Sequence, residues 1–281
     1  MENASSLVTQ AVREADHDRY LTTLYAPPGK RAPLMALYAF NAEIAGVRDR
    51  IREALPGEVR LQWWRDMLAA PYPGEETGQP VADALRATIK DYSLPLPAFE
   101  NYLEARIFDL YDDPMPSRTD LEGYCGETAC TLIQLASVVL DPDKASGFSE
   151  LAGHAGCAQA MTGLLLLLPL HRARGQCYIP ADLLRAVGTS PQDFIKGENA
   201  ETAKRAVAAM VALAREHLSA FEKNAASLPE TLRPAYLPLA MTSAWVRRME
   251  GRESAVLDGG ISLSHLRRHW LLWRHAMRGW R

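Results

Sequence analysis

Residues Leu151–Leu184 read LAGHAGCAQAMTGLLLLLPLHRARGQCYIPADLL, and how they are buried decides the fold. The run Leu151–Leu170 contains no Asp, Glu, Lys or Arg. A helix of that composition must be covered on every side, by lipid or by protein. Gly153, His154, Gly156, Gln159, Thr162 and Gly163 keep its first half only weakly apolar, and Pro169 interrupts its end. The residues before it include Asp141, Asp143 and Glu150, where a membrane span favours basic and aromatic flanks. The stretch reads as the central helix of a globular helical protein.

The surrounding chain agrees. It has 281 residues, 48% hydrophobic and 23% charged, which is the composition of a folded globular protein with a sizeable core. Leu34, Leu37, Tyr38, Ile44 and Val47 recur at helical spacing over residues 30–51, and no segment sustains a two-residue alternation. Further helices are expected over 58–69, 81–92, 98–112, 119–140, 149–168, 200–226, 230–249 and 261–280, with a polar loop over 72–80. These patterns predict an all-α protein, with residues 1–260 as a single helical domain and 261–281 as a basic amphipathic C-terminal helix. Cys125, Cys130, Cys157 and Cys177 lie in apolar helical contexts without C-x-x-C spacing, so they are expected to be buried free thiols of a reducing compartment. The first eighteen residues are polar and include acids, unlike a signal or transit peptide, so a cytoplasmic location is expected.

Few residues suggest chemistry by themselves. Asp109 and Asp113 form a D-x-x-x-D; on a helix, carboxylates at i and i+4 share a face and suit Mg²⁺. The alternative is a solvated helix end before Pro114. His265 and His269 have a zinc-compatible spacing but no third ligand nearby, and Arg267 and Arg268 oppose a cation. His154 is expected to be a hydrogen-bonded core residue. No nucleophile elbow, Walker motif or dinucleotide fingerprint occurs.

The C-terminal helix is more informative. Leu263, Leu266, Trp270, Trp273, Met277 and Trp280 repeat at spacings of three and four, beside Arg267, Arg268, Arg274, Arg278 and Arg281. The stripe suits either packing on its own domain or docking to a membrane surface or partner. The chain carries a net charge of −3, or −8 once those five arginines are set aside. A mildly acidic body with a basic tail excludes a general nucleic-acid binder and suits an anionic membrane surface.

Three blocks, taken in order, resemble the squalene/phytoene synthase family. The first is YLTTLYAPPGKRAPLMALYAFNAEIAGVRD, from Tyr20 to Asp49. The second runs from Asp109 to Ala129 and includes Asp120-Leu-x-x-Tyr124-Cys125. The third joins Gly156-Cys-Ala-x-x-Met-Thr162 to Arg174-Gly175-x-x-Tyr178-x-Pro180-x-Asp182. The resemblance implies the all-α isoprenoid synthase (terpenoid synthase) fold. Active members of that family join two prenyl diphosphates head to head, with aspartate-bound Mg²⁺ drawing off diphosphate and an apolar cavity shielding the allylic cation.

Against that pattern the chain departs consistently. The expected aspartates fall on Ala45, Asp49, Leu167 and His171, so only Asp49 survives. Tyr20, Arg31, Tyr38, Asn41, Tyr124, Arg174 and Tyr178 are the implied ligand-pocket residues, and Asp49, Asp109 and Asp113 the catalytic remnant. The substitutions, including Phe40-Asn41-x-Glu43, resemble a degenerate branch that includes the mitochondrial complex I assembly factor with a phytoene-synthase-like domain.

This branch implies a pseudoenzyme, peripherally attached to the inner face of a membrane through the C-terminal helix. It would have a respiratory complex I subunit or assembly intermediate as partner and no cofactor. Two alternatives stay open: a working Mg²⁺-dependent prenyltransferase that uses Asp49, Asp109 and Asp113 as its metal site, and a non-catalytic binder of an isoprenoid lipid.

Overall fold

The computed structural model describes residues 2–70 and 77–280. The expected loop over 72–80 lies mostly outside the described residues, as does Arg281. Among the described residues every regular element is helical. In chain order these are α1 (Glu2–Ala15), α2 (His17–Thr23), α3 (Pro28–Ala45), α4 (Ala54–Ala69), α5 (Pro80–Asp91) and α6 (Leu96–Ala105). Then come α7 (Arg118–Cys125), α8 (Thr131–Leu140), α9 (Pro142–Ala145), α10 (Ser149–Leu166), α11 (Leu168–Ala173) and α12 (Ala181–Ala186). The last are α13 (Pro191–Lys196), α14 (Ala200–Asn224), α15 (Arg233–Tyr236), α16 (Leu239–Met249), α17 (Glu253–Leu257) and α18 (His265–Arg278).

The starts of these helices are written in the sequence. Asp16, Ser117, Ser190 and Asn199 each accept a backbone N–H of the first turn of α2, α7, α13 and α14. Such caps are each worth about 1 kcal/mol. Helix α4 begins at Ala54, so Pro56 falls in its first turn, where no amide donor is required. The helix expected over 58–69 thus starts four residues earlier.

Three other expected helices are shorter than their apolar patterns. The one over 30–51 ends at Ala45 and is followed by a 3₁₀ turn, Arg48–Arg50. The one over 98–112 ends at Ala105 and tightens into the 3₁₀ turn Arg106–Leu110. The one over 230–249 is broken: a 3₁₀ turn, Glu230–Leu232, leads into α15, and α16 starts afresh after Pro238.

The chain forms two compact units, each assembled from separate segments. One comprises Met1–Tyr111, Thr131–Ser149 and Pro229–Ala235; the other comprises Asp112–Cys130, Glu150–Leu228 and Tyr236–Arg281. In the first, α3 is the core helix, packed by α1, α5 and α8. Leu34 to Asn41 are all buried, so this helix has no solvent stripe. Phe40 anchors it, with ring centroids 5.2 Å from Trp64, 5.6 Å from Phe99 and 5.2 Å from Tyr102. Aromatic pairs that meet edge-on, as Phe40 does with Trp64 and Phe99, add about 0.5–1.5 kcal/mol each beyond the area they bury.

In the second unit α10 carries the uncharged run. Leu151, Ala152, Ala155, Gly156, Cys157, Ala158, Met161, Thr162 and Leu165 are buried in protein. The run ends where the sequence placed its interruption: Leu167 breaks the helix and Pro169 sits in the first turn of α11. A longer helical run, Arg118–Leu140, has the length and composition of a membrane span, but 61% of its apolar window is buried inside the protein. It contains a π turn, Gly126–Cys130. There Gly156 lies against Cys130, and a β-carbon added at Gly156 would come within 2.5 Å of the Cys130 N, Cα and Sγ atoms. Two of those atoms belong to the backbone and cannot swing aside. We therefore expect Gly156→Ala to destabilise the fold by about 1–3 kcal/mol. Gly153→Ala, with nothing within 4 Å of the new atom, serves as the control. Urea denaturation of both variants checks this.

Candidate functional site

In the first unit the structure gathers a buried polar cluster. Asn41, on α3, accepts a hydrogen bond from the Tyr102 hydroxyl at 2.8 Å. The Arg106 guanidinium donates to the same hydroxyl oxygen at 3.1 Å and to the Asp109 carboxylate at 3.0 Å. Beside it, Arg19 pairs with Asp16 and lies 5.7 Å from the centre of the Tyr38 ring. Burial pushes the Tyr38 phenol up to about 12, against the opposing pull of Arg19. Of the residues marked from sequence, Tyr38, Asn41 and Asp109 come into this cluster. Asp16, Arg19, Tyr102 and Arg106 were missed, although the spacing of Arg106 and Asp109 is that of a local ion pair.

The remaining marked residues of this unit are placed elsewhere. Tyr20 is half-buried and stacks on His17, while the Arg31 Nε donates to the Ala26 carbonyl at 2.9 Å and closes the turn before α3. Asp49 is exposed on the Arg48–Arg50 turn, and Ala45 is the last residue of α3. Glu43 is held by Arg50 at 3.0 Å and Arg60 at 3.6 Å. The D-x-x-x-D reading of Asp109 and Asp113 needs correction. The 3₁₀ turn that holds Asp109 stops at Leu110 and Asp113 follows in non-helical chain, so no helical face joins them.

In the second unit His171, Tyr178 and Tyr124 form an aromatic row, with centroids 4.7 Å apart for His171–Tyr178 and 6.1 Å for Tyr124–Tyr178. The motif Arg174-Gly175-x-x-Tyr178-x-Pro180-x-Asp182 has a structural basis. The Arg174 amide closes α11 on the Leu170 and His171 carbonyls, at 3.2 and 3.0 Å. Met115 pairs by backbone with Cys177 and Ala181, at 3.0 and 2.8 Å. Asp182 accepts the Arg118 amide at 3.1 Å, which supports the start of α7.

His154 meets His217 Nδ1 to Nδ1 at 3.1 Å, and His217 Nε2 lies 3.1 Å from Glu122, so His154 is hydrogen-bonded as expected. All four cysteines are buried and free. His269 Nδ1–H donates to the His265 carbonyl along its own helix at 2.8 Å.

The four positions at which the fold family carries magnesium ligands do not fit that ion. Ala45 and Leu167 have no donor atom, and Leu167 is 51% exposed at the turn between α10 and α11. His171 is buried with its ring against Tyr178. Asp49 alone offers a carboxylate.

Helix α18 presents a surface. Leu266 (83% exposed), Trp270 (54%), Trp273 (53%) and Met277 (65%) face solvent at spacings of four, three and four. Leu271 and Leu272 cover the opposite side, and Arg268 lies over the Trp245 ring of α16 at 5.3 Å. The stripe is shorter at both ends than the sequence suggested. Leu263 precedes the helix and is buried, and Trp280 follows it, packed edge-on to Phe221 at 5.3 Å. Gly279 makes that return possible with φ of 64° and ψ of −150°, a conformation essentially confined to glycine.

The fold is that of the isoprenoid synthases, shown by likeness to solved structures. A dehydrosqualene synthase solved with a ligand superposes with a TM-score of 0.82 at 17% identity, covering 97% of this chain and 95% of that one. A squalene synthase from Alicyclobacillus acidocaldarius gives 0.75 at 20% identity, covering 90% and 95%. The family model for squalene/phytoene synthase matches residues 12–274, and the chain belongs to that family. Among curated relatives, NADH dehydrogenase (ubiquinone) complex I, assembly factor 6, from Mus musculus is 27% identical over 241 residues, covering 86% of this chain and 72% of that protein. A 15-cis-phytoene synthase from Synechocystis is 26% identical over 211 residues, covering 71% and 62%.

The polar cluster is held by hydrogen bonds among its own members, which makes it a stability element. Tyr102→Phe removes the donor to the buried Asn41 and one of the acceptors of Arg106. A loss of about 1–3 kcal/mol is expected in urea unfolding, with the helical content by circular dichroism unchanged.

Proposed function

We propose that this protein is a non-catalytic member of the family that serves the assembly of NADH:quinone oxidoreductase at a membrane surface. The observation that carries the reading is the loss of metal-binding carboxylates at Ala45, Leu167 and His171, in a chain most of whose length is similar to complex I assembly factors. Ionising a prenyl diphosphate requires its negative charge to be neutralised as it departs, and one exposed carboxylate is a poor means of holding Mg²⁺ for that purpose. The relatives named for complex I assembly are similar to this chain over 86–90% of its length.

Attachment would run through α18. Its exposed Leu266, Trp270, Trp273 and Met277 offer the apolar face, and Arg267, Arg274 and Arg278 the positive charge that complements an anionic leaflet. Because that attraction is screened, binding to phosphatidylglycerol-containing vesicles is expected to weaken as salt rises from about 0.1 M to 1 M, over which the Debye length falls from about 10 Å to about 3 Å. The double variant Trp270→Ser, Trp273→Ser should reduce vesicle binding on the order of tenfold or more at either salt concentration. Sedimentation with vesicles checks both; binding indifferent to salt and to the tryptophans would refute the attachment.

For the assembly role, deletion of the gene is expected to lower the amount of intact NADH:quinone oxidoreductase on native gels. Because no metal chemistry is required, Asp49→Ala should restore assembly as well as the unaltered gene does. Restoration by the unaltered gene alone would favour the prenyltransferase reading.

A further inference from the structure

Against α18 the second unit holds a cavity of about 210 Å³ that α14 and α16 also line. Arg247 of α16 and Arg267 and Arg274 of α18 line it, together with Ser243, His275 and Glu222. Among the described residues, none of these three arginines has an acidic partner. Glu222, the one carboxylate in the lining, accepts the Ser243 hydroxyl at 3.0 Å. Three guanidinium groups against one carboxylate leave a net positive cavity whose forked donors match the oxygens of a phosphate.

We propose that this cavity is a binding site for a phosphate group, with Arg247, Arg267 and Arg274 as its ligands. The phosphate belongs either to a lipid headgroup or to a free anion. This deepens the membrane reading but is separable from it, since Arg247 is on α16 and takes no part in the exposed stripe.

His275 reports on the site. It lines the cavity, and its Nδ1–H donates to the Leu271 carbonyl at 2.9 Å. Its protonation is disfavoured first by burial and then by the nearby Arg274 and Arg247 charges, while the Leu271 carbonyl and Glu222 favour it. A bound phosphate would offset the two arginines, so the imidazolium would become easier to form and the His275 titration would move to higher pH.

The test follows His275 by NMR across pH in the full chain, first alone, then with inorganic phosphate, then with vesicles of phosphatidylcholine and phosphatidylglycerol. An upward shift that saturates with phosphate, and weakens about tenfold in apparent affinity in Arg247→Gln, supports the site. A shift produced by phosphate but not by vesicles assigns the ligand as a free anion. One produced by vesicles in phosphate-free buffer assigns a headgroup. Arg278→Gln, an equal loss of charge outside the cavity lining, sets the baseline for general attraction. The proposal falls if neither phosphate nor vesicles moves His275, or if Arg247→Gln and Arg278→Gln respond alike. Vesicle binding that depends on Trp270 and Trp273 together with an unmoved His275 would leave the membrane attachment standing and remove the phosphate site.

Discussion

Gly156 on α10 meets Cys130 in the π turn with no side chain between them, and the second unit depends on that approach. The contact needs a residue without a β-carbon on one helix and the local widening of a π turn on the other. From it follow the burial of Cys130 and Cys157, whose sulfurs lie 3.9 Å apart, and the Cys130 thiol's hydrogen bond to the Gly153 carbonyl at 3.1 Å. The buried positions of α10, among them Ala152, Ala155 and Met161, leave no route by which a lysine or glutamate could reach water, whereas Gly153 and Gly163 are half-buried and open.

The same economy governs the polar residues. In the first unit Asn41, implied as a ligand-pocket residue by the sequence, is tied instead into a hydrogen-bond chain with Tyr102, Arg106 and Asp109. In the second, the motif around Tyr178 holds Met115 and the start of α7 in place. A family scaffold can thus persist while metal-binding carboxylates disappear, because much of what makes the motifs recognisable is backbone support. The face of α18 is open to a partner or a membrane, and the arginine-lined cavity lies against the same helix.

How much of this was legible varies with the physics involved. The all-helical fold was readable because uncharged and amphipathic periodicity is a local signal, and the family blocks fixed the kind of fold. Helix ends were less readable. The patterns through Val47 and through Asp112 continued past the true ends because 3₁₀ turns preserve apolar spacing for a few residues. The five-residue α17 carries too little pattern to be seen at all.

Tyr38, Asn41 and Asp109 were singled out for other roles, and Arg19 and Tyr102 were not seen, since what sets them beside Tyr38 and Asn41 is packing between segments apart in sequence. The same limit hid Arg247. Nothing in its own neighbourhood signals that Arg267 and Arg274 line the same cavity. On α18 the stripe itself was clear, but its orientation was not. Leu271 and Leu272, not the tryptophans, turned out to be the buried side.

The proposed loss of catalysis is the central claim, and diphosphate release tests it most directly. Purified full-length protein incubated with farnesyl or geranylgeranyl diphosphate and Mg²⁺ is predicted to release no more diphosphate than a protein-free blank. Release above the blank that is abolished by Asp49→Ala would contradict the account and return the protein to the working prenyltransferases.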